Sequence, residues 1–344
     1  MEHLIHDTRQ LPPLPPNTFA CQTLVGLLNP PDMSSISRRR FIARTALTGS
    51  LLASGSAACL PGSVSAATPA RRPKVKPVVG CQLYGWGQYY EREGKSLDAH
   101  LDEVLSALRD AGYDYAEGSL DAHTPDNTAR FAERLKQKGL QPVSLYTGGA
   151  FHTAEVAPKT TEKLLAAAKV AHAAGFRVLV CNPDAIGRDK TDDELKTQAA
   201  ALSTLGAELH RLGMQFGIHH HTPEMRREAK EFHYNFQHSQ PGVVDFCYDV
   251  HWVYRGGVAP AKAFALYHDR IVSWHLRQSR NQIWWEDLDT GDIDYREIRR
   301  WVDDQQIPRR YTVELALENG TKITRSSVEN HRRSREFVKQ VLGV

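Results

Sequence analysis

The sequence predicts an α/β protein built as a closed (β/α)8 barrel, preceded by a disordered N-terminal signal and linker segment. Three observations point there. From Val78 to the C-terminus, eight short apolar runs alternate with amphipathic stretches. No Gly-rich dinucleotide fingerprint follows any of these runs, which disfavours an open doubly wound sheet. Polar side chains recur at the ends of the runs, where a barrel of this kind carries its active site. The 344 residues, 41% hydrophobic and 24% charged, supply ample material for one large core.

The front of the chain reads differently. Residues 1–32 contain "LPPLPP" and "NPPDM" and fit neither a signal nor the fold. They read as a non-native extension, with Met33 the natural start. Residues 33–67 carry a twin-arginine pattern, Ser37-Arg38-Arg39-Arg40-Phe41-Ile42, then a weakly apolar run and small residues ending in Val64-Ser65-Ala66 before a cleavage site. The run is too short and too rich in Ser and Gly to span a bilayer. The expectation is an exported, periplasmic protein that folds before passing the twin-arginine translocation machinery. Cys59 is a candidate acylation site for a lipoprotein, although Ser56 is a poor residue at the apolar position. Residues 68–77, "TPARRPKVKP", read as a linker.

The formal charge of +3 gives no argument for nucleic acid or a membrane surface. Cys81, Cys181 and Cys247 each fall inside a predicted strand, and an odd number of them argues for buried thiols over a disulfide framework.

Residues 78–344 form the barrel. Predicted strands run over Val78–Leu83, Tyr113–Glu117, Pro142–Tyr146, Arg177–Cys181, Gln215–His219, Val244–Asp249, Ile271–His275 and Tyr311–Glu314. Between the first five lie helical patterns at Leu97–Ala111, Thr124–Lys138, Ala154–Ala174 and Thr191–Leu212. The first carries Leu101, Val104, Leu105 and Leu108 at helical spacing. Each pattern stops at Gly112, Gly139, Gly175 or Gly213, the residue type that closes a helix in the left-handed conformation.

The strand ends carry the chemistry. Four successive runs end in His219, Asp249, His275 and Glu314. One such residue alone is most simply solvated or capping a helix; four at one barrel mouth would converge on a cation. Alternation turns Cys247, Asp249 and His275 inward and Tyr248 and Trp274 toward the helices. His220 and His221 then fall in the following loop, as substrate contacts or wet side chains. If this geometry holds, the imidazoles of His219 and His275 lie within about a nanometre of each other. The mixed nitrogen and oxygen set suits one divalent ion such as Mn, Co, Zn or Fe, with Mg less favoured. Around it stand Glu117, Tyr146, His251, Trp252, Arg255, Arg277, Arg280 and Trp284, with Trp86 after the first strand. Their flat rings and cations suit a sugar, or else pack the loops.

The motifs "GYDYAEGSL", "FGIHHHTPEM", "CYDVHWVYRGG", "DRIVSWHLRQS", "GDIDY" and "YTVELALE" resemble, in this order, the xylose isomerase-like TIM-barrel superfamily over roughly 78–344. That group includes sugar isomerases, epimerases, inosose dehydratases and AP-endonucleases. The resemblance implies His219, Asp249, His275 and Glu314 as metal ligands. It also implies a small-molecule carbohydrate substrate. Many epimerases of the family have Glu where this chain has His219, and pair it with a second glutamate across the substrate carbon. His219 leaves Glu314 as the only carboxylate of that pair, which makes dehydration or elimination from a keto-sugar a rival to isomerisation or epimerisation.

In either outcome Glu314 is the expected general base next to a carbonyl, with Glu117, His221 or Glu224 handling a second proton. The expected substrate is unphosphorylated, a keto-sugar or glycoside. A non-catalytic sugar-binding barrel is the alternative from another class. An AP-endonuclease is disfavoured by the near-neutral charge and the export signal. A homo-oligomer is compatible with the sequence.

Overall fold

The computed structural model describes residues 76–344. The extension, the twin-arginine signal, Cys59 and nearly all of the linker lie outside the described residues.

Eight parallel strands close into a barrel: β1 (Val78–Gln82), β2 (Tyr115–Ser119), β3 (Ser144–Gly149), β4 (Val178–Pro183), β5 (Gln215–Ile218), β6 (Asp245–Asp249), β7 (Ile271–Leu276) and β10 (Arg310–Val313). They neighbour one another in chain order, with β10 seated between β7 and β1. These runs are buried on both faces, which is why they read as continuous apolar stretches instead of strict alternation. A two-stranded hairpin, β8 (Ser279–Arg280) and β9 (Ile283–Trp284), rises from the loop after β7. Asn281 and Gln282 make its turn, both with positive φ.

The helices α2 (Leu101–Asp110), α3 (Pro125–Gln137), α4 (Val156–Ala174) and α5 (Asp192–Leu212) fall where the periodicity predicts. Each is followed by a glycine of positive φ, at Gly112, Gly139, Gly175 and Gly213. Thr191 opens α5 with a reciprocal capping box to Glu194. Beyond these lie α1 (Leu83–Arg92), α6 (Arg226–Gln237), α7 (Val250–Arg255), α8 (Pro260–Tyr267), α9 (Tyr295–Gln305) and α10 (Ser327–Phe337).

The core has two compartments. Outward side chains such as Phe246, Tyr248 and Trp274 stack in the layer between strands and helices. Inside the barrel, Val178, Val180 and Cys247 pack with Tyr146. Cys247 and Trp274 thus take opposite faces, as alternation requires. Cys81, Cys181 and Cys247 are free, buried thiols.

One irregularity bears directly on the site. The β6–β7 ladder pairs Phe246 with Ile271 but Cys247 with Ser273, a bulge that brings Asp249 level with His275. Bulges of this kind re-aim side chains next to active sites.

Candidate metal centre

The four strand-end residues meet. One ligand atom from each of His219, Asp249, His275 and Glu314 lies within 4.8 Å of every other, and all four residues are buried. The two imidazole centroids are 4.8 Å apart.

Each of the four is held by backbone or by a neighbour. The His219 backbone N–H donates to the Cys181 carbonyl at 2.8 Å, extending the β4–β5 ladder by one residue. Its Nε2 stands 3.3 Å from Asp249 Oδ2. Asp249 ends β6 and also caps α7, its Oδ1 accepting from the Trp252 N–H at 2.8 Å. His275 Nδ1 is 2.9 Å from Glu314 Oε2, and its Nε2 is 2.8 Å from Glu117 Oε1. Glu314 follows β10, its N–H bonded to the Leu276 carbonyl.

Arg277 binds across the acidic pair, at 2.6 Å from Glu314 Oε1 and 3.2 Å from Asp249 Oδ2. Its guanidinium lies 4.6 Å from the Trp284 ring and 5.5 Å from that of Trp252. Cation–π contact with two rings screens the guanidinium from water and strengthens its pull on the carboxylates.

These charges set the protonation states. Burial opposes charge on Asp249, but Arg277 and then His219 outweigh it and hold the carboxyl well below its usual range. Burial likewise opposes charge on Glu314, and Arg277 and His275 hold it low. Burial lowers His219 and keeps it neutral, the form that ligates a cation. His275 goes the other way: burial works against its charge, yet Cys247 and Glu117 beside it hold it well above the ordinary imidazole value.

The donor set fits a divalent cation. Two imidazoles and two carboxylates, buried and within mutual reach, match the ligand number and chemistry of Zn, Mn, Co or Fe sites.

A cavity of about 1730 Å³ opens above the cluster and is bordered by Glu117, Tyr146, His219, His221, Trp252, Arg277, Trp284 and Glu314. Eight sequence candidates thus share one space. His221 is pulled down to about 3 by burial and by His219, so it faces the cavity neutral.

Other candidates stand elsewhere. Trp86 lies in α1, 1% exposed and stacked on His331 at 4.4 Å, because a helix starts directly after β1 and turns the ring into the wall. Arg280 points off the hairpin, 3.9 Å over Trp285 and paired to Asp289. Arg255 pairs with Glu318 at 2.8 Å behind Trp284. His251 is buried edge-on to Trp284 and is pushed down to about 4 by burial and then by Arg277. Glu224 sits off the cavity wall, accepting from the His221 N–H at 2.7 Å and from Asn182 Nδ2 at 3.1 Å. His220 is neither wet nor at the cavity: it packs between Phe232 and Phe246 in the outer layer.

Ser144 was not among the sequence candidates. Its hydroxyl donates to Glu117 Oε2, and the signal for it is alternation, since Tyr146 two residues on faces the same side.

Residues 105–341 match the family model described as "Xylose isomerase-like TIM barrel". An inosose dehydratase of Geobacillus kaustophilus is 24% identical over 197 residues, which span 53% of this chain and 63% of that protein, less than two thirds of its length. Among solved structures, a sugar phosphate isomerase/epimerase of Parabacteroides distasonis superposes with a TM-score of 0.62 at 21% identity, covering 81% of this chain and 98% of that one. A D-allulose 3-epimerase of Methylomonas, in complex with D-allulose, gives 0.61 at 17% identity over 78% and 98%. At those identities the structures establish the shared barrel. With the family model covering more than half of its length, the chain belongs to the xylose isomerase-like TIM-barrel family.

Proposed function

We propose that this protein is a divalent-metal-dependent enzyme that removes the proton next to the carbonyl of an unphosphorylated keto-sugar or keto-glycoside. The observation that carries this is the convergence of His219, Asp249, His275 and Glu314 below a cavity walled by Trp252 and Trp284. A bound cation would supply Lewis-acid stabilisation of the enediolate charge. Glu314 is the base in this reading, because it alone among the ligand carboxylates borders the cavity. Arg277, fixed between the two rings, keeps Glu314 ionised and so able to accept a proton. The rings of Trp252 and Trp284 suit the apolar face of a sugar. Support for a sugar also comes from the relatives, an inosose dehydratase and an epimerase solved with D-allulose. The twin-arginine pattern supports an unphosphorylated substrate, since an exported enzyme rarely meets sugar phosphates.

Elimination is favoured over two-base epimerisation by one feature. Glu117 and Glu314, the cavity carboxylates that adjoin the four-residue cluster, both stand against the same His275 ring. In this reading they do not bracket a substrate carbon from opposite faces. One base suffices for loss of a β-substituent or for an isomerisation that returns the proton on the same face.

The test is incubation of the Mn²⁺-loaded protein with ketoses and 3-keto-glycosides in D₂O, followed by mass spectrometry. Deuterium uptake or release of water or an aglycone is expected, falling by roughly 100-fold or more in Glu314→Gln. No exchange and no elimination with any sugar would overturn the proposal.

A further inference from the structure

We infer that Glu117 is a positioning residue for the cation site, acting through His275 rather than on substrate. This rests on the reading of the four strand-end residues as a metal centre. Glu117 is fully buried in β2, where an unpartnered carboxylate would be costly. Ser144 at the start of β3 occupies one of its oxygens. The other, Oε1, lies 2.8 Å from His275 Nε2. Neither of these two atoms has a well-aligned hydrogen bond to any other group, so each is the remaining partner of the other. The distance is that of a hydrogen bond, although the angle falls short of one.

The consequence falls on the other ring nitrogen. A cation taken up here would displace the second proton of the His275 ring, and an imidazole that donates its Nε2 proton to a carboxylate offers its lone pair on Nδ1. That atom stands 2.9 Å from Glu314 Oε2, within the ligand cluster. The chain Ser144–Glu117–His275 therefore fixes both the tautomer and the ring plane of one ligand. It links strands β2, β3 and β7 across the barrel interior. Glu117 borders the cavity, but its two oxygens are directed at Ser144 and His275.

The test compares Mn²⁺ affinity by calorimetry, and the visible spectrum of the Co²⁺-loaded protein, for the full chain and three variants. Glu117→Ala should bind Mn²⁺ about 10- to 100-fold more weakly. Its Co²⁺ bands should shift, a signature that mere loss of fold stability would not produce. Glu117→Gln keeps an acceptor for Nε2–H and should recover part of the affinity. Ser144→Ala should lose less than Glu117→Ala, and it carries the test should Glu117→Ala fail to fold. Turnover of the variants should return at saturating Mn²⁺. An affinity in Glu117→Ala within about twofold of the parent would overturn the inference, given the expected range. So would a variant that binds Mn²⁺ fully yet never regains turnover, which would make Glu117 a proton carrier. A parent protein that binds no cation would remove the metal centre and this inference with it. A parent that binds Mn²⁺ but acts on no sugar overturns only the proposed reaction, and the affinity comparison still decides the role of Glu117.

Discussion

Replacing Glu224 with Gln should change how stability depends on pH, in a direction the structure dictates. Glu224 is 1% exposed, and burial pushes its carboxyl from 4.5 up to about 7, the His221 N–H working against that rise and Glu231 adding to it. A carboxyl with a raised folded value favours the folded state while it is protonated. Its contribution is fully present below about 4.5 and is lost as the pH climbs through about 7. Between those limits it removes about 3 kcal/mol from the parent protein. Glutamine cannot titrate and escapes that loss. Both present partners of Glu224 are donors, so the new NH₂ faces a donor and costs about 1 kcal/mol. That cost is the same at every pH, and shifts the difference between the proteins without bending it. The assay is urea unfolding of both proteins from about pH 4 to about pH 8, reporting only the difference, so that groups common to both cancel. The variant should gain on the parent as pH rises. A difference flat to within about 0.5 kcal/mol would refute the assignment of a buried, protonatable Glu224.

Two further outcomes test the charge and aromatic shell. Arg277→Leu leaves the buried Asp249 and Glu314 without their guanidinium and should cost about 3–5 kcal/mol. Added Mn²⁺ should raise the melting temperature of that variant more than that of the parent, and equal shifts would contradict the charge argument. Trp284→Ala removes one of the two rings over Arg277 and should lower kcat/KM for sugar turnover by about 30-fold, the equivalent of about 2 kcal/mol. Unchanged kinetics would place substrate away from this wall.

The barrel was legible because its strands are buried on both faces and each early helix stops at a glycine that closes it. The convergence of four strand-end residues was legible for a related reason. A side chain at the last inward position of a strand has little conformational latitude, so identity and spacing in His219, Asp249, His275 and Glu314 sufficed. What stayed hidden depends on local backbone events. Leu83–Arg92 holds two glycines and several aromatics, poor helix formers, yet Gln82 caps the Tyr84 N–H and a helix begins there. That turn carries Trp86 away from the cavity. The hairpin after β7 turns on Asn281 and Gln282, with no glycine to announce it, and it sends Arg280 outward while returning Trp284 to the site. Ser144 was within reach of the period-two rule, but its hydroxyl matters only because Glu117 is buried beside it.

The positions of Glu117 and Glu314 follow from the barrel's closure. Strand β1 pairs with β2 on one side and β10 on the other, so Glu117 and Glu314 flank it. Inward side chains from the two strands beside β1 lean toward the axis from one sector, and both meet His275 there. The opposite sector, β5 and β6, presents His219 and Asp249, and beyond them the neutral His221. A glutamate at position 219 would set a second base across from Glu314. A histidine there, held neutral by burial, is a ligand in the proposed reading. In the proposed reading, the choice of one side chain on β5 leaves no second carboxylate base across from Glu314. In the proposed reaction the base, Glu314, sits where Arg277 can keep it ionised, and abstraction is followed by expulsion of a substituent or by return of the proton.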